Sequence, residues 1–222
     1  MTVALSARGI RAGYGPVEVL HGIDLEIGAG VVTGIVGPNG AGKTTLLSVL
    51  AGTMALRSGT LLWNGKPFGR LRPEQRARKG MVAVPESRGV FPHLSVRENL
   101  DVFAGGRPLL PVYQAFPVLA ERGSQAAGTL SGGEQRMLAL SRALVADAKC
   151  VVVDEPSLGL APALTDELYE VVGRIAATGV TVVLADQYED RVLALAAVVY
   201  RLERGEVTFA GEPAQWHENA AR

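Results

Sequence analysis

The sequence predicts an α/β fold with a mostly parallel core sheet, an antiparallel β-layer and a small inserted helical part. Unbroken apolar runs recur along the chain, and helical stretches separate several of them, which is typical of a parallel sheet. Between residues 86 and 130 the pattern changes to short helices broken by glycine and proline. The 222 residues, 48% of them hydrophobic, are enough for one such domain spanning residues 1–222.

The predicted core strands are apolar runs without alternation, as expected for strands buried on both faces. They are Val31–Val36, Met81–Val84, Cys150–Val153 and Val180–Leu184. A glycine-rich loop follows the first run, and a helix is predicted from Lys43 towards Ala51. Further helices are predicted at Gly132–Asp147 and Pro162–Ala177, and the helical subdomain inserted in this core is expected at approximately 87–130.

The remaining strands are predicted as antiparallel pairs. Residues 3–10 and 17–27 are expected to pair around a turn at 12–16, and Leu61–Trp63 forms a hairpin arm before Asn64-Gly65. Val198–Leu202 and Val207–Ala210 form a terminal hairpin, followed by a short helix at Pro213–Ala221. The strands at 3–10 and 17–27 and the Leu61–Trp63 arm are expected to form the antiparallel β-layer.

Charge and hydropathy exclude several classes of function. Lys and Arg together number 22, as do Asp and Glu, so no global basic field steers nucleic acid to the chain. The basic run Lys66–Lys79 is interpreted as a solvated helix face. The longest apolar stretch, Val192–Tyr200, is far below the roughly 20 residues that span a bilayer. Arg8 follows too few residues for the apolar region of an export signal to form at the N-terminus. A cytoplasmic location is therefore expected.

Cysteine and histidine indicate neither a disulfide nor a zinc site. Cys150 is the sole cysteine and is expected to be a buried strand residue. His21, His93 and His217 have no partner at ligand spacing and are interpreted as turn or surface residues.

A glycine-rich loop follows the first core strand and fits the pattern G-x-x-x-x-G-K-[ST]. In such loops backbone N–H groups cradle phosphates, the lysine reaches the β/γ-phosphates and the hydroxyl binds Mg²⁺. The helix that follows adds the positive end of its dipole. The residues of this predicted nucleotide site are Gly37, Pro38, Asn39, Gly40, Ala41, Gly42, Lys43, Thr44 and Thr45.

Two adjacent carboxylates, Asp154 and Glu155, end the third apolar run. Their mutual repulsion and desolvation are unfavourable unless a cation or a reacting water lies there. The weaker alternative is a pair of helix-capping acids. Upstream of that run, Leu130–Gln135 reads LSGGEQ, in which Ser131 could also serve as the N-cap of a helix.

With these three motifs the chain resembles the ATP-binding cassette (ABC) ATPases along essentially its whole length. The resemblance implies a P-loop NTPase core, the cofactors ATP and Mg²⁺, and ATP hydrolysis. It implies that Thr44 and Asp154 hold Mg²⁺ and that Glu155 polarises the attacking water. In that family Ser131, Gly132 and Gly133 would bind the γ-phosphate held by a second cassette, and residues 157–160 would follow their interface. Tyr14 is at the position that stacks on adenine.

Two residues depart from the commonest pattern of that family. Glu86 replaces a glutamine that senses Mg²⁺ and the γ-phosphate, and Gln187 replaces a histidine that contacts the γ-phosphate. Glu86 is still able to ligate Mg²⁺, whereas Gln187 donates a neutral hydrogen bond and, unlike histidine, does not become cationic by taking up a proton. We therefore expect a slow or asymmetric site, with a heterodimer of cassettes preferred and a homodimer as the alternative.

Several strings narrow the resemblance to ATP-binding subunits of branched-chain amino acid importers that carry glutamine at this position. The strings are Val84-Pro85-Glu86 with Arg88, Val90-Phe91-Pro92, Ser95-Val96, Glu98-Asn99-Leu100 and Glu155–Pro162. Urea and amide importer subunits share them. This subgroup implies a membrane permease, indirectly a solute-binding protein, and a peripheral position on the inner face of the membrane.

The core motifs also occur in two other functional classes. Chromosome-maintenance and translation ABC proteins usually add a long coiled coil between the phosphate loop and the acid pair, or pair two cassettes in one chain. The spacing from Lys43 to Asp154 leaves no room for such an insertion. A regulatory cassette with little hydrolysis is suggested by Glu86 and Gln187, but the intact Lys43, Asp154 and Glu155 argue against it.

Overall fold

The structure, a computed structural model, describes residues 2–86 and 89–220 of the chain. Its strands are β1 (Val3–Tyr14), β2 (Val17–Gly28), β3 (Val32–Val36), β4 (Ser58–Trp63), β5 (Lys66–Pro67), β6 (Met81–Val84), β7 (Cys150–Asp154), β8 (Thr181–Ala185), β9 (Val198–Glu203) and β10 (Glu206–Gly211). Its helices are α1 (Lys43–Ala51), α2 (Pro73–Arg78), α3 (Val96–Ala104), α4 (Leu110–Ala115), α5 (Pro117–Glu121), α6 (Gly132–Val145), α7 (Pro162–Ala177), α8 (Glu189–Leu195) and α9 (Pro213–Ala220). Arg88, the side chain of His217, and Ala221 lie outside the described part of the chain.

The central sheet has six strands in the order β10-β9-β3-β8-β7-β6. Strands β9, β3, β8, β7 and β6 run parallel, and β10 pairs antiparallel with β9. Every residue of β3, β7 and β8 is buried. Their side chains divide between two hydrophobic clusters, one on each face of the sheet. The predicted α/β fold with a mostly parallel core is thus confirmed, and burial on both faces explains the unbroken apolar runs.

An antiparallel sheet in the order β2-β1-β4-β5 covers one face of this core. Strand β1 is longer than predicted, because pairing continues to Tyr14 opposite Val17 and leaves only Gly15-Pro16 as the turn. Gly13 permits this close pairing: a Cβ atom there would lie 2.1 Å from the carbonyl oxygen of Val17. The predicted five-residue turn was therefore wrong, and the hairpin is tighter.

Short helices fill the segment between β6 and α6. Helix α3 begins in a capping box, in which Ser95 Oγ accepts a hydrogen bond from the N–H of Glu98. Asn99 is buried and anchors the preceding loop, accepting from the N–H of Phe91 and donating to three carbonyls. Phe116 and Leu119 enter the same hydrophobic cluster as α6. The helical segment is therefore packed directly on the helix that carries the LSGGEQ sequence.

The interpretation of Lys66–Lys79 as a solvated helix face is wrong for Arg76, which is only 2% exposed. Its guanidinium donates hydrogen bonds to the carbonyls of Val49 and Leu50, both at 2.5 Å, and to those of Leu71 and Gly69, both at 2.9 Å. The last carbonyls of a helix lack partners within the helix, and a planar guanidinium is suited to several such acceptors. Burial lowers the pKa of Arg76 to about 10. The residue fixes the C-terminal end of α1.

Within residues 2–86 and 89–220, no helix is both long enough and apolar enough to cross a bilayer.

Candidate functional site

The glycine-rich loop connects the buried end of β3 to the first turn of α1. Gly37, Gly40 and Gly42 all have positive φ angles, of 148°, 79° and 105°. At Gly37 a Cβ atom would lie 2.1 Å from the carbonyl oxygen of Leu202, so this position admits no side chain. Pro38, Asn39 and Gly40 are exposed at the tip, whereas Ala41 and Gly42 are buried. The loop thus has the strand, loop and helix arrangement that phosphate binding requires.

Lys43 is the first residue of α1, and its side chain lies inside the loop with only 4% of the residue exposed. Its Nζ donates to the carbonyl oxygens of Gly37 at 2.9 Å and Pro38 at 3.3 Å. The same ammonium forms an ion pair with Glu155 Oε1 at 3.2 Å. Buried ammonium groups are unfavourable unless paired, so Glu155 and the two carbonyls stabilise this one.

Asp154 is the last residue of β7 and lies beside the hydroxyl of Thr44, which donates to Asp154 Oδ1 at 3.3 Å. Burial raises the pKa of Asp154 to about 6, and the charges of Glu155 and Glu86 act in the same direction. The Thr44 hydrogen bond and Lys43 oppose this shift. The carboxylate is therefore held in a place where its charge is poorly compensated.

These groups fit a magnesium ion. Mg²⁺ prefers oxygen ligands, keeps several waters and is usually held by one or two protein side chains together with substrate phosphates. Thr44 Oγ1 and Asp154 Oδ1 are two such oxygens, and a cation would offset the poorly compensated charge of Asp154. Among the residues described, no three His, Cys, Asp or Glu side chains are grouped to hold a metal by themselves.

Replacing Asp154 with asparagine is expected to raise the free energy of unfolding of the nucleotide-free protein by about 3 kcal/mol at pH 8. The carboxyl pKa is 3.8 in its ordinary setting and about 6 in the fold, so the folded state binds more protons between these values. Stability is consequently lost as the pH rises from about 4 to about 6, and it stays reduced above that range.

Urea denaturation at two pH values measures this effect. At pH 5 the gain from Asp154→Asn should shrink to about half of its value at pH 8. Asp101→Asn, at an exposed position on α3, serves as the control, with an effect of about 0.5 kcal/mol or less at both pH values. An Asp154→Asn variant less stable than the parent at pH 8 would show that the carboxylate is well compensated.

Glu155 follows Asp154 in an unusual backbone conformation, with φ at 42°. Its N–H donates to the carbonyl of Ala185 at 2.8 Å, and its own carbonyl accepts from Arg136 Nη1 at 2.7 Å. A positive φ is unfavourable for a residue with a side chain and persists where the surroundings hold it. Here it occurs in the loop directly after β7, from which the Glu155 carboxylate reaches Lys43 at the start of α1.

The LSGGEQ sequence forms the start of α6. Ser131 is the N-cap: its Oγ accepts from the N–H of Glu134 at 3.3 Å, and the carboxylate of Glu134 accepts from the N–H of Ser131 at 2.8 Å. Ser131 and Gly132 are exposed, whereas Gly133 is buried against Leu164. In the described residues, hydrogen bonds and ion pairs connect Lys43 with Glu155 and Thr44 with Asp154. None connects these residues to Ser131 or either glycine.

Three further predicted site residues lie at the edge of the site. Tyr14, at the end of β1, is 56% exposed, and its neighbour Val17 is 61% exposed. Glu86 is exposed just after β6 and close enough to influence the charge on Asp154. Gln187 is half-buried, and its backbone N–H donates to Asp186 Oδ1 at 2.7 Å.

The structure also places residues at the site that the sequence reasoning did not single out. Arg136 donates to the carbonyls of both Glu155 and Leu158, which ties the loop after β7 to α6. Ser157 and Asp186 are each fully buried and hydrogen-bonded to one another at 2.6 Å. Arg136 follows LSGGEQ directly and Asp186 precedes Gln187, so adjacency to a motif was the available signal.

Comparisons with known proteins agree with this geometry. The profile of the ABC transporter family matches residues 20–158. The chain is 40% identical over 205 residues to the high-affinity branched-chain amino acid transport ATP-binding protein BraG of Pseudomonas aeruginosa, covering 88% of this chain and 87% of BraG. It is 33% identical over 221 residues to the Nod factor export ATP-binding protein I of Cupriavidus metallidurans. That alignment covers 96% of this chain and 72% of the relative.

A solved structure supports the fold. The crystal structure of a nucleotide-free ATP-binding cassette from an ABC transporter superposes with a TM-score of 0.87 at 24% identity, covering 99% of this chain and 95% of the other. ATPases of the family dimerise and work with membrane permease subunits. From its motifs, its fold and these relatives, the chain belongs to the ABC transporter family, as an ATP-binding and ATP-hydrolysing subunit that resembles those of branched-chain amino acid transporters.

Proposed function

We propose that this chain powers the import of branched-chain amino acids, as the peripheral ATPase bound to a separate permease on the inner face of the membrane. The observation that carries the proposal is the meeting of Lys43, Thr44, Asp154 and Glu155 where β3 and β7 end. The similarity to BraG, which extends over most of both chains, supports the cargo class.

The phosphate loop binds ATP in this proposal. Backbone N–H groups of the loop Gly37–Thr45, except at Pro38, which has none, would donate to the phosphates, and the Lys43 ammonium would neutralise the β- and γ-phosphates. Its buried position means that phosphate oxygens would replace acceptors that Lys43 now finds in two loop carbonyls and Glu155. Tyr14 offers an exposed ring on which adenine stacks.

Thr44 and Asp154 would hold Mg²⁺, and Glu86 would offer a further oxygen ligand. When bound, the ion supplies positive charge that stabilises the phosphate oxygens. Glu155 accepts a hydrogen bond from the attacking water, and its position is held by the strained backbone and by Arg136. Gln187 donates a neutral hydrogen bond to the γ-phosphate, which supports a slower site than a cationic side chain would provide.

A second cassette completes the site. Ser131, Gly132 and Gly133 lie at an exposed helix N-terminus and make no contact with the phosphate loop of their own chain among the described residues. They therefore suit the γ-phosphate of an opposite subunit. A heterodimer, in which a different cassette supplies the faster site, is the preferred arrangement, and a homodimer is the alternative.

The permease is proposed to dock where residues 87–130, as a helical subdomain within the single domain of residues 1–222, meet the core. A groove of about 480 Å³ lies there between α2, β6, α3 and the end of α6. Asp147 is the one acidic residue among its described lining residues. The basic residues exposed or half-buried on it are Arg78, Lys79, Arg107, Arg142 and Lys149. This excess of positive charge favours an acidic segment of the partner.

Arg142 makes the groove more selective for a carboxylate. Its guanidinium lies 4.3 Å from the ring centre of Phe103, and its Nε is buried without a hydrogen-bond partner among the described residues. Burial lowers the pKa of Arg142 to about 10. A partner carboxylate in the groove would not reach the buried Nε, but it would compensate the charge of the guanidinium.

Co-purification of the tagged chain from its native membrane tests the proposal. The parent protein should retain a permease and a second cassette, and membrane vesicles containing the complex should accumulate leucine or valine when supplied with ATP. Lys79→Glu with Lys149→Glu should reduce the recovered permease at least tenfold, because both lysines are exposed on the groove. Lys66→Glu, an exposed lysine on β5 outside the groove, is the matched control.

Three outcomes would contradict parts of this proposal. Uptake of urea or an amide instead of branched-chain amino acids would change the cargo, and outward transport would favour the role of the Nod factor relative. Isolation of the chain without any membrane protein would favour a regulatory cassette or another function outside transport.

A further inference from the structure

Asp186 lies at the point where the backbone pairing between β7 and β8 ends. Its own N–H donates to the carbonyl of Ile35 at 3.3 Å, and the last pairing hydrogen bond of the neighbouring strand runs from Glu155 to Ala185. Beyond this point the segments that follow β7 and β8 leave the sheet as loops. One loop begins with Glu155 and the other carries Gln187, so their relative position determines the spacing of two proposed site residues.

The Asp186 carboxylate connects these two loops. Its Oδ2 accepts the hydroxyl of Ser157 at 2.6 Å, and its Oδ1 accepts the backbone N–H groups of Gln187 at 2.7 Å and Tyr188 at 3.2 Å. Asp186 and Ser157 are both 0% exposed. The contact between the loops is therefore made without water, by two short side chains with few alternative rotamers.

Asp186 is a buried carboxylate without an ion-pair partner in the part of the chain that the structure describes. The nearby Arg191 pairs instead with Asp166 at 2.8 Å. A buried carboxylate without an ionic partner depends on its hydrogen bonds. Burial, and next the charge of Asp186, raise the pKa of the Tyr169 hydroxyl, which packs in the same place. Losing the Ser157 donor would leave the Asp186 carboxylate with the two backbone N–H groups and the neighbouring Tyr169 hydroxyl.

We propose that Asp186 and Ser157 are positioning residues, which hold Gln187 and the loop of Glu155 at one fixed separation for ATP hydrolysis. The proposal rests on the roles proposed above for Glu155 and Gln187. A simple cap of the following turn would need only the bonds to Gln187 and Tyr188, whereas the bond to Ser157 joins residues 29 positions apart. That bond links the loop that carries Gln187 to the loop that begins with Glu155.

Ser157→Ala is the direct test, because it removes the bond between the loops and keeps both backbone bonds of Asp186. We expect kcat for ATP to fall about tenfold while KM changes less than twofold, since the nucleotide-binding loop is untouched. Ser157→Thr keeps the hydroxyl and should recover most of the rate. Ser141→Ala is the matched control: Ser141 is also 0% exposed, but its hydroxyl donates at 2.6 Å to Met137 within α6.

A second comparison separates positioning from a loss of stability. In a Gln187→Ala background, Ser157→Ala should lower kcat at most threefold further, because one of the two groups it aligns is already absent. A parental kcat in Ser157→Ala, or the same tenfold loss in both backgrounds, would overturn the proposal. If Ser157→Ala does not fold, Asp186→Asn replaces it: its amide donates to Ser157 Oγ and its oxygen keeps both N–H bonds, so kcat within threefold of the parent is required.

Two variants distinguish loss of the positioning role of Ser157 and Asp186 from failure of the proposed function. If the parent protein hydrolyses ATP and Glu155→Gln abolishes hydrolysis while Ser157→Ala is silent, only the positioning role is lost. If Glu155→Gln turns over like the parent, the assignment of Glu155 fails whatever the serine variants do.

Discussion

Lys43→Ala is expected to weaken MgATP binding at least 30-fold, which corresponds to a loss of at least about 2 kcal/mol of binding free energy. The ammonium already lies within the loop, with three oxygen atoms within 3.3 Å, so little reorganisation is needed for it to meet phosphate. Charge-assisted hydrogen bonds contribute about 1.5 to 3 kcal/mol each, and alanine supplies none.

A binding titration with a fluorescent ATP analogue measures the effect. Removing Lys43 also leaves the Glu155 carboxylate without its ion-pair partner, so the melting temperature must be followed in parallel. Lys149→Ala, at an exposed position near the opposite end of β7, is the control and should bind like the parent. Unchanged affinity in a folded Lys43→Ala protein would exclude this loop as the nucleotide site.

Glu155→Gln is expected to lower kcat for ATP hydrolysis at least 100-fold while the affinity for ATP stays within about threefold of the parent. General-base groups contribute about 10² to 10⁴ in rate, and a neutral amide is a far weaker acceptor for the proton of water. The amide oxygen retains a contact for Lys43, so the loop and the fold should be preserved.

Phosphate release at saturating MgATP measures this rate. Glu170→Gln, on the exposed side of α7, should leave it unchanged. If Glu155→Gln loses less than fivefold, another group must activate the water, and the strained conformation of Glu155 would then require a different explanation.

Local patterns were sufficient for the parts of the site that are continuous in sequence. The phosphate loop needs a buried strand before it and a helix after it, and the runs Val31–Val36 and Lys43–Ala51 predicted both. The acid pair was predictable because an apolar strand that ends in two carboxylates is unfavourable without a cation or water. Helix α7 was predicted with its observed bounds, Pro162–Ala177, since proline at the first turn marks a helix start.

Features that join distant segments could not be read from these patterns. Arg76 looked solvated because its neighbours in sequence are charged, but its acceptors are carbonyls of α1 that lie 26 and 27 positions earlier. The bond between Ser157 and Asp186 depends on the parallel pairing of β7 with β8. The raised pKa of Asp154 depends on burial by several elements. In each case tertiary packing, rather than local sequence, decides the environment.

The nucleotide that stays bound to Glu155→Gln after incubation with MgATP shows whether the site binds ATP and whether Glu155 is needed for hydrolysis. The site formed by Lys43, Asp154 and Glu155 is proposed to bind ATP, and Glu155 is proposed to be needed for its cleavage. The protein is incubated with ATP, separated from free nucleotide, denatured, and its nucleotide identified by chromatography. We expect intact ATP on Glu155→Gln and ADP on the parent; ADP on both would contradict the account.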